Sequence, residues 1–250
     1  IEKKKNDPPY TNKATLTVYL VLRELVIFVL VRAALRRDFE SVFFCGMTLV
    51  LMILPSFFAR KLNVELPGAL EIIILLFIFS AEILGEIQEY YLLIPFWDTM
   101  LHTINGFLMA AIGIAMVDIL NRSRKFKVRL SPAFVALVAF CFSMTVGVVW
   151  EFFEYGMDVF FHTDMQKDTI IHTIHSVTLD PTRSNQVVTI HNIQDVAVNG
   201  SSLGLPGYLD IGLIDTMKDL FVNFIGAVVF SVTGFLYVKS KGRKKSAAQS

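Results

Sequence analysis

Residues 132–158 read PAFVALVAFCFSMTVGVVWEFFEYGMD, and this stretch decides the fold class. No charged residue lies between 132 and 150. At about 1.5 Å per residue, that part alone is long enough to cross a hydrocarbon core of roughly 30 Å as a helix. The stretch then ends in three acids at helical spacing, Glu151, Glu154 and Asp158. The pattern predicts a membrane-spanning helix with carboxylates gathered at one end.

The rest of the chain extends this interpretation. Hydrophobic residues make up 54% of it and charged residues only 18%, with a mean hydropathy of +0.57, which excludes an ordinary soluble domain. We predict an all-α bundle of about six transmembrane helices. Their approximate bounds are 15–35, 41–58, 67–84, 98–120, 132–157 and 212–238. The first is interrupted by Arg23, Glu24 and Arg32.

The distribution of Lys and Arg predicts the orientation, because cytoplasmic loops are enriched in both. Basic residues collect near the N-terminus, in the second and fourth loops, and after residue 238. We therefore expect both termini in the cytoplasm, a single transmembrane domain over 1–238 and a basic cytoplasmic tail over 239–250. The segment 159–211 is then an external loop between the last two helices. The basic clusters are interpreted as contacts to lipid headgroups, with no nucleic-acid partner.

Polar residues recur at the external ends of four of these helices. Side chains three, four or seven positions apart lie on one face of a helix, and ionisable groups at membrane depth face the bundle interior or a water-filled cavity. We therefore expect one polar pocket that opens outward. The four sets are Glu82, Glu86 and Glu89; Asp98, His102 and Asn105; Glu151, Glu154 and Asp158; and Asp215, Asp219 and Asn223.

So many carboxylates need positive charge or shared protons among them. Lys218 and Arg23 are candidates within the chain, and a bound divalent cation is a second possibility. Carboxylates with one histidine suit Zn, Mn or Fe, whereas carboxylates with Asn suit Mg or Ca. No H-E-x-x-H spacing is present to decide the metal.

Each side chain receives a candidate role on this hypothesis. We expect His102 and Glu151 to move protons, while Asp215 is as readily explained as a helix cap. The expected metal ligands are Asp98, His102, Glu154, Asp215 and Asp219. The expected substrate-binding residues are Glu82, Glu86, Asn105, Asn223 and Lys218.

The segment 159–210 and several glycines have structural interpretations. Short β-branched runs that end at Asn199 and Gly200 predict a small hairpin lid, and His172 and His175 are interpreted as surface residues. Glycines within the spans are expected to allow close packing of helices. They are Gly106, Gly113, Gly147 and Gly226.

Several ordered motifs resemble the YjdF-like family of bacterial inner-membrane proteins and, more distantly, the VanZ-like family. They are Leu66-Pro67, Gly85-Glu86 with Tyr90-Tyr91, Trp97-Asp98-Thr-Met-Leu-His102, Trp150-Glu151-Phe-Phe-Glu154 and Asp215-Thr-Met-Lys-Asp219-Leu-Phe-Val-Asn223-Phe-Ile-Gly226. The resemblance implies a multipass protein of the bacterial cytoplasmic membrane without implying an activity. The VanZ-like analogy favours lipid or cell-envelope chemistry.

Three function classes remain open at this point. The first is a metal-assisted site that binds or acts on a lipid-linked or phosphorylated envelope substrate at the outer leaflet, with membrane lipids as partners. The second is a cation- or proton-coupled transporter or lipid translocase, and the third is a structural partner in the membrane. The sequence does not decide the oligomeric state or whether the protein is an enzyme.

Overall fold

The computed structural model of the chain describes residues 12–61, 67–122 and 130–247. Most of the predicted N-terminal and fourth-loop basic clusters therefore lie outside the described residues. The helices are α1 (Lys13–Arg36), α2 (Phe39–Leu51), α3 (Leu54–Lys61), α4 (Gly68–Phe79), α5 (Tyr90–Leu93), α6 (Trp97–Arg122), α7 (Pro132–Phe161) and α8 (Leu213–Ala247). A π-helical segment, Ser80–Ile87, continues α4.

Six helical stretches are long and apolar enough to span a membrane, which confirms the predicted all-α architecture. Two of them are composite. The second span joins α2 to α3 across a break just before Pro55, whose ring and missing N–H are tolerated in the first turn of a helix. The third span joins α4 to the π-helical segment. The spans are Lys13–Arg36, Phe39–Lys61, Gly68–Ile87, Trp97–Val117, Pro132–Phe161 and Leu213–Ser240.

The π-helical segment changes the direction of the chain at the end of the third span. Trp97 Nε1 donates a hydrogen bond to the Ser80 carbonyl, at 3.3 Å, where the segment begins. The segment ends at Ile87, and Glu89 in the turn that follows is left-handed with φ 59°. Glu82 and Glu86 stay within the segment, but the prediction that Glu89 continues their stripe is wrong because the backbone turns there.

Helices α6, α7 and α8 pack on one another very closely, through glycine. A Cβ atom at Gly106 of α6 would overlap the Asn223 carbonyl oxygen of α8. One at Gly226 of α8 would lie 2.5 Å from the Thr103 carbonyl oxygen of α6. Gly147 of α7 is equally confined, since its Cβ would lie 2.7 Å from Asn223 Nδ2. These contacts confirm the predicted role of the glycines.

The other half of the bundle packs α1 against α2 and α4 through an apolar core. Its fully or nearly fully buried members are Tyr19, Leu22, Val26, Cys45, Met52, Leu75 and Ile83. Arg23 and Glu24 lie on the exposed side of α1, away from this core. The prediction that Arg23 offsets the charge of the carboxylates is therefore wrong.

Short antiparallel strands organise the segment between α7 and α8. They are β1 (Thr169–Ile171), β2 (Ile174–Ser176), β3 (Val188–Ile190), β4 (Ala197–Val198), β5 (Ser201–Ser202) and β6 (Tyr208–Asp210), paired β1 with β6, β2 with β3, and β4 with β5. Asn199 and Gly200 both have positive φ, 52° and 83°, as the tight turn of a hairpin requires. The predicted turn is thus confirmed, although β3 pairs with β2 and lies outside that hairpin.

Candidate functional site

Three ligand-bearing side chains converge where α6 and α8 meet near the loop between α7 and α8. Asp98 and His102 lie one turn apart on α6, and His102 Nε2 is 3.3 Å from Asp98 Oδ1. The same nitrogen is 3.8 Å from Oδ2 of Asp219, on α8. One ligand atom of each residue lies within 4.8 Å of the others, so the three side chains could hold one metal ion. We call these three residues the acidic triad.

Glu151 of α7 faces the other nitrogen of the same histidine. His102 Nδ1 lies 3.8 Å from Glu151 Oε1. The Glu151 residue is 4% exposed, and among the described residues neither of its carboxylate oxygens has a hydrogen-bond partner. Asp219 Oδ1 is also buried without such a partner. Buried oxygens of this kind are costly unless a cation or a proton satisfies them.

Glu154 lies one turn further along α7. Its Oε1 accepts a hydrogen bond from Trp150 Nε1 at 2.7 Å, and the residue is 8% exposed. Glu154 is not part of the acidic triad. Its expected role as a metal ligand therefore has less geometric support than that of Asp219.

Lys218 supplies positive charge at the exposed edge of the site. Its Nζ lies 3.2 Å from Asp98 Oδ2 and 3.9 Å from Asp215 Oδ1, and its side chain is 44% exposed. The expectation that Lys218 sits among the acids is thus met. Because the ammonium group remains accessible, it can also contact an anion that approaches from outside the bundle.

Asp215 is tied to the loop more closely than to the acidic triad. Its Oδ2 accepts the backbone N–H of Lys167 at 2.8 Å. The N-terminus of α8 is capped by Asp210 instead, whose Oδ2 accepts the backbone N–H of Ile214 at 2.8 Å. The helix-cap interpretation of Asp215 is therefore wrong, because the chain enters α8 through Asp210 and Gly212.

The third span contributes two more carboxylates, and the short helix α5 that follows it contributes Tyr91, which was not among the expected site residues. Glu82 is 2% exposed, and its Oε2 is buried without a hydrogen-bond partner in the described part of the chain. Glu86 Oε2 lies 3.9 Å from Lys167 Nζ. Tyr91 packs against Gly85, where a Cβ atom would overlap the tyrosine ring.

Tyr91 belongs to the same electrostatic environment. Burial raises the pKa of its phenol well above the ordinary value, and the neighbouring carboxylates, Glu86 and Glu82 first, raise this pKa further. Tyr91 therefore stays protonated and can act as a hydrogen-bond donor. The only sequence signal was its place in the Gly85 to Tyr91 motif, which does not reveal which way the ring turns.

Polar side chains deeper in the bundle close the site on the side away from the loop. Asn105 Nδ2 donates to Asn223 Oδ1 at 3.1 Å, and Asn223 Nδ2 contacts the Met144 sulfur at 3.5 Å. Asn223 is 0% exposed, and Ser143 Oγ donates to the Gly106 carbonyl at 2.9 Å. These groups satisfy one another, so we assign Asn105 and Asn223 to the floor of the site.

The loop is fastened over the ends of α7 and α8. The two carboxylate oxygens of Asp158 accept the backbone N–H groups of Met165 and Gln166 at 2.7 and 2.9 Å. Gln166 in turn donates through Nε2 to Thr216 Oγ1 at 2.5 Å. Lys167, next in the chain, is thereby placed beside Glu86 and Asp215.

The loop histidines lie on the surface, as expected. His172 Nδ1 contacts the Ile193 carbonyl oxygen, and His175 Nδ1 contacts Thr189 Oγ1, both at 2.9 Å. Both histidines are exposed. They belong to the loop, and neither is part of the acidic triad.

Comparison with known proteins identifies the family. Residues 18–240 match the model of a family described as a predicted membrane protein (DUF2238). The chain belongs to the DUF2238 family. The match covers all six spans in whole or in part and every residue of the acidic triad. No curated protein and no solved structure matches the chain significantly, so its membership of the DUF2238 family establishes a membrane protein without assigning an activity.

Proposed function

We propose that this protein binds a divalent cation at Asp98, His102 and Asp219 and thereby binds or acts on a lipid-linked or phosphorylated envelope substrate at the outer leaflet. The observation that carries the proposal is the convergence of the three ligand atoms within 4.8 Å of one another. The unpartnered carboxylate of Glu151 on the far side of the imidazole supports it. A cation would offset the negative charge that burial otherwise makes costly.

The donor set favours Zn or Mn over Mg. One imidazole and two carboxylates suit borderline transition metals, whereas Mg prefers oxygen ligands alone. Three protein ligands leave a coordination position for substrate or water, as catalytic zinc sites do. When bound, such a cation polarises a phosphoryl oxygen and stabilises the charge that develops there.

The remaining side chains then take complementary roles. With a cation bound at Nε2 of His102, the nitrogen that faces Asp98 and Asp219, the proton of the ring would lie on Nδ1, which faces Glu151. Glu151, 3.8 Å from that nitrogen, would orient the ring and stabilise its N–H, an arrangement common around metal-bound histidine. Lys218, accessible at the edge of the site, binds the phosphate group of the substrate.

The third span and α7 form the side walls of the proposed substrate site. Glu82, Glu86 and Glu154 line the side of the site towards Tyr91, and their carboxylates select against substrates that bring further negative charge there. Asp215 holds Lys167 and thereby the loop in place. Asn105 and Asn223 form the floor.

The location follows from the topology and from the resemblance to the YjdF-like family. Six spans put both ends of the described chain on one side of the membrane, and the positive-inside rule makes that side cytoplasmic. The spans form one transmembrane domain, the segment 159–211 lies outside the cell, and 239–250 is a cytoplasmic tail. The membrane is the bacterial inner membrane, so the site opens towards the outer leaflet.

The closed floor supports a one-sided site over a transport path. Asn223 is fully buried between Asn105 and Met144. Beyond it, Gly106 and Gly226 bring the backbones of α6 and α8 into contact. A substrate that enters from the outer leaflet therefore meets packed helices below the acidic triad.

The test uses the purified protein in lipid nanodiscs that contain a prenyl diphosphate lipid, with added Zn²⁺ or Mn²⁺. Two quantities are measured, the prenyl diphosphate lipid retained by the protein and the inorganic phosphate released. The proteins compared are the wild type, His102→Ala, Asp219→Asn and Glu89→Gln. Glu89 is an exposed acid near the same end of the bundle, so its variant is the matched control. We expect the first two variants to lose retention or turnover and the control to keep it.

Two results would contradict the proposal. One is metal-independent behaviour, with all four proteins retaining and releasing the same amounts. The other is cation or proton flux in sealed proteoliposomes that Asp219→Asn abolishes, which would favour the transporter instead.

A further inference from the structure

Two opposite charges lie near the middle of α1 on the outside of the bundle. Arg23 and Glu24 are both exposed. Among the residues that the structure describes, neither forms a hydrogen bond or an ion pair. Since α1 spans Lys13–Arg36, the pair lies about 15–20 Å from either end of the helix at ~1.5 Å per residue. This depth is within the hydrocarbon core of a membrane.

Charges at that depth need a partner. Charged side chains near helix ends extend to the headgroup region, but the middle of α1 is too far from both interfaces for this. Lipid tails offer neither charge nor hydrogen bonds. By contrast, the exposed residues of α7 between 134 and 149 include Phe134, Leu137 and Val149 and no charged residue, as lipid contact requires.

The arrangement around α1 shows which partner fits. Leu20, Ile27 and Val31 follow one line along the helix, at spacings of seven and four residues. Leu20 is 42% and Val31 52% exposed. At about 100° per residue, Arg23 lies on one side of this line and Glu24 on the other. The two charges are adjacent in the sequence and hence at nearly the same depth.

The Lys and Arg bias of this chain gives its copies the same orientation in the membrane. Two copies of α1 that meet along the Leu20 to Val31 line are therefore parallel, related by a two-fold axis along the membrane normal. That symmetry brings Arg23 of one protomer opposite Glu24 of the partner subunit, and Glu24 opposite Arg23 of the partner subunit. A single interface thus pairs all four charges away from lipid.

We propose that α1 forms the interface of a homodimer, joined by two reciprocal Arg23–Glu24 ion pairs that flank an apolar line of Leu20, Ile27 and Val31. The partner is a second copy of this chain. The interface is on the side of the bundle built from α1, α2 and α4, so dimer formation leaves the acidic triad on α6 and α8 accessible.

Charge exchange tests the pairing. Each chain carries one dye, and bleaching steps per particle are counted in lipid vesicles at low protein density. We expect two steps for the wild type, one step for Arg23→Glu or Glu24→Arg alone, and two steps again for the variant with both substitutions, since the exchange restores opposite charges. Arg32→Glu, an exposed charge on α1 away from the apolar line, is the control and keeps two steps.

Disulfide trapping tests the geometry without altering a charge. In a variant that lacks Cys45 and Cys141, Leu20→Cys is compared with Val21→Cys, which is adjacent and 55% exposed but turned away from the line. We expect Leu20→Cys to form dimers several-fold faster. A wild type that bleaches in one step, a double exchange that fails to restore two steps, or equal trapping at both positions would each overturn the proposal.

Discussion

The two halves of the bundle differ in whether they bury charged side chains. We call α6, α7 and α8 the site half, and α1, α2 and α4 the apolar half. The site half buries Glu151, Glu154 and Asp219, whereas the helices of the apolar half bury side chains such as Leu75 and Val26 and, among the residues described, no charged one. The buried Glu82 lies in the π-helical segment that follows α4. Ionisable groups inside a membrane protein are costly and mark function. The comparison therefore supports placing the proposed site in the site half.

The two halves also hold together by different means. In the site half, glycines bring backbones into contact and Asn105 bonds to Asn223 between helices. In the apolar half, large side chains interlock. The hydrophobic effect does not drive helix association within lipid, so side-chain packing and interhelical hydrogen bonds stabilise both halves. Substitutions that remove buried side chains, crowd a glycine or remove a polar contact should therefore affect the stability of the two halves differently.

The largest loss of stability is expected in the apolar half. Leu75 is 0% exposed, so Leu75→Ala leaves a cavity and destabilises the protein by about 2–5 kcal/mol. The adjacent Leu76 is 46% exposed, and Leu76→Ala should change stability by only about 0.5 kcal/mol or less. Thermal unfolding in detergent measures both. Equal melting temperatures would refute the assigned core, and metal binding by the folded Leu75→Ala protein should stay intact.

Crowding a glycine should be nearly as disruptive in the site half. Gly106→Ala places a methyl group against the Asn223 carbonyl and costs about 1–3 kcal/mol. Gly46 of α2 is the matched control, because nothing lies within 4 Å of its Cβ position. Gly46→Ala should be neutral or slightly stabilising, since Ala is the better helix former. If both substitutions lower the melting temperature alike, the close approach of α6 and α8 is incorrect.

A smaller effect is expected from the floor of the site. The hydrogen bond between Asn105 and Asn223 should show a coupling of about 0.6–1.7 kcal/mol in a double-mutant cycle, as interhelical hydrogen bonds in membranes do. The cycle compares Asn105→Ala, Asn223→Ala and the double variant by steric trapping in bicelles. Additive losses, with no coupling, would mean that the two amides do not interact.

The smallest effect concerns the loop and depends on pH. Asp180 accepts five hydrogen bonds from Thr182, Ser184 and Gln186, which hold the pKa of its carboxyl well below the ordinary value. A lowered pKa means that the stabilisation is complete above the ordinary value and is lost as the pH falls towards the folded value. Local order should thus persist from neutral pH to about pH 4 and decline below it.

Hydrogen exchange, corrected for intrinsic rates, measures that local order. Asp180→Asn should remove protection from the amides of Thr182, Ser184 and Gln186 at neutral pH. Asp195→Asn is the control, because the Asp195 carboxylate accepts from Ser202 within another turn. Unchanged protection in Asp180→Asn would contradict the role of the carboxylate.

Hydrophobic length and helical spacing were enough to predict the spans and the faces that meet. The shared face of Asp98 and His102 on α6, and that of Asp215 and Asp219 on α8, follow from the period of a helix alone. The structure brings these side chains together because α6 and α8 are regular throughout the site. The glycines within the spans likewise predicted the close packing of these helices.

The errors arose where regular helical spacing stops or where all faces are equally apolar. The π-helical segment and the left-handed Glu89 interrupt the α-helical period. Glu89 therefore leaves the expected face, and Tyr91 lies at the site although helical spacing did not predict it there. Arg23 was misplaced because α1 is apolar on several sides, and its sequence does not reveal which side packs inward. The choice between Asp210 and Asp215 as helix cap depended on where α8 begins, which sequence predicts to within a few residues only.

The most direct test of a cation site at the acidic triad is elemental analysis of the purified protein after saturation with Zn²⁺ or Mn²⁺ and removal of free metal. We predict about one metal ion per chain for the wild type and Glu89→Gln, and background levels for His102→Ala and Asp219→Asn, because three protein ligands define such a site. A folded wild type without stoichiometric metal, or variants that keep it, would contradict a cation at Asp98, His102 and Asp219.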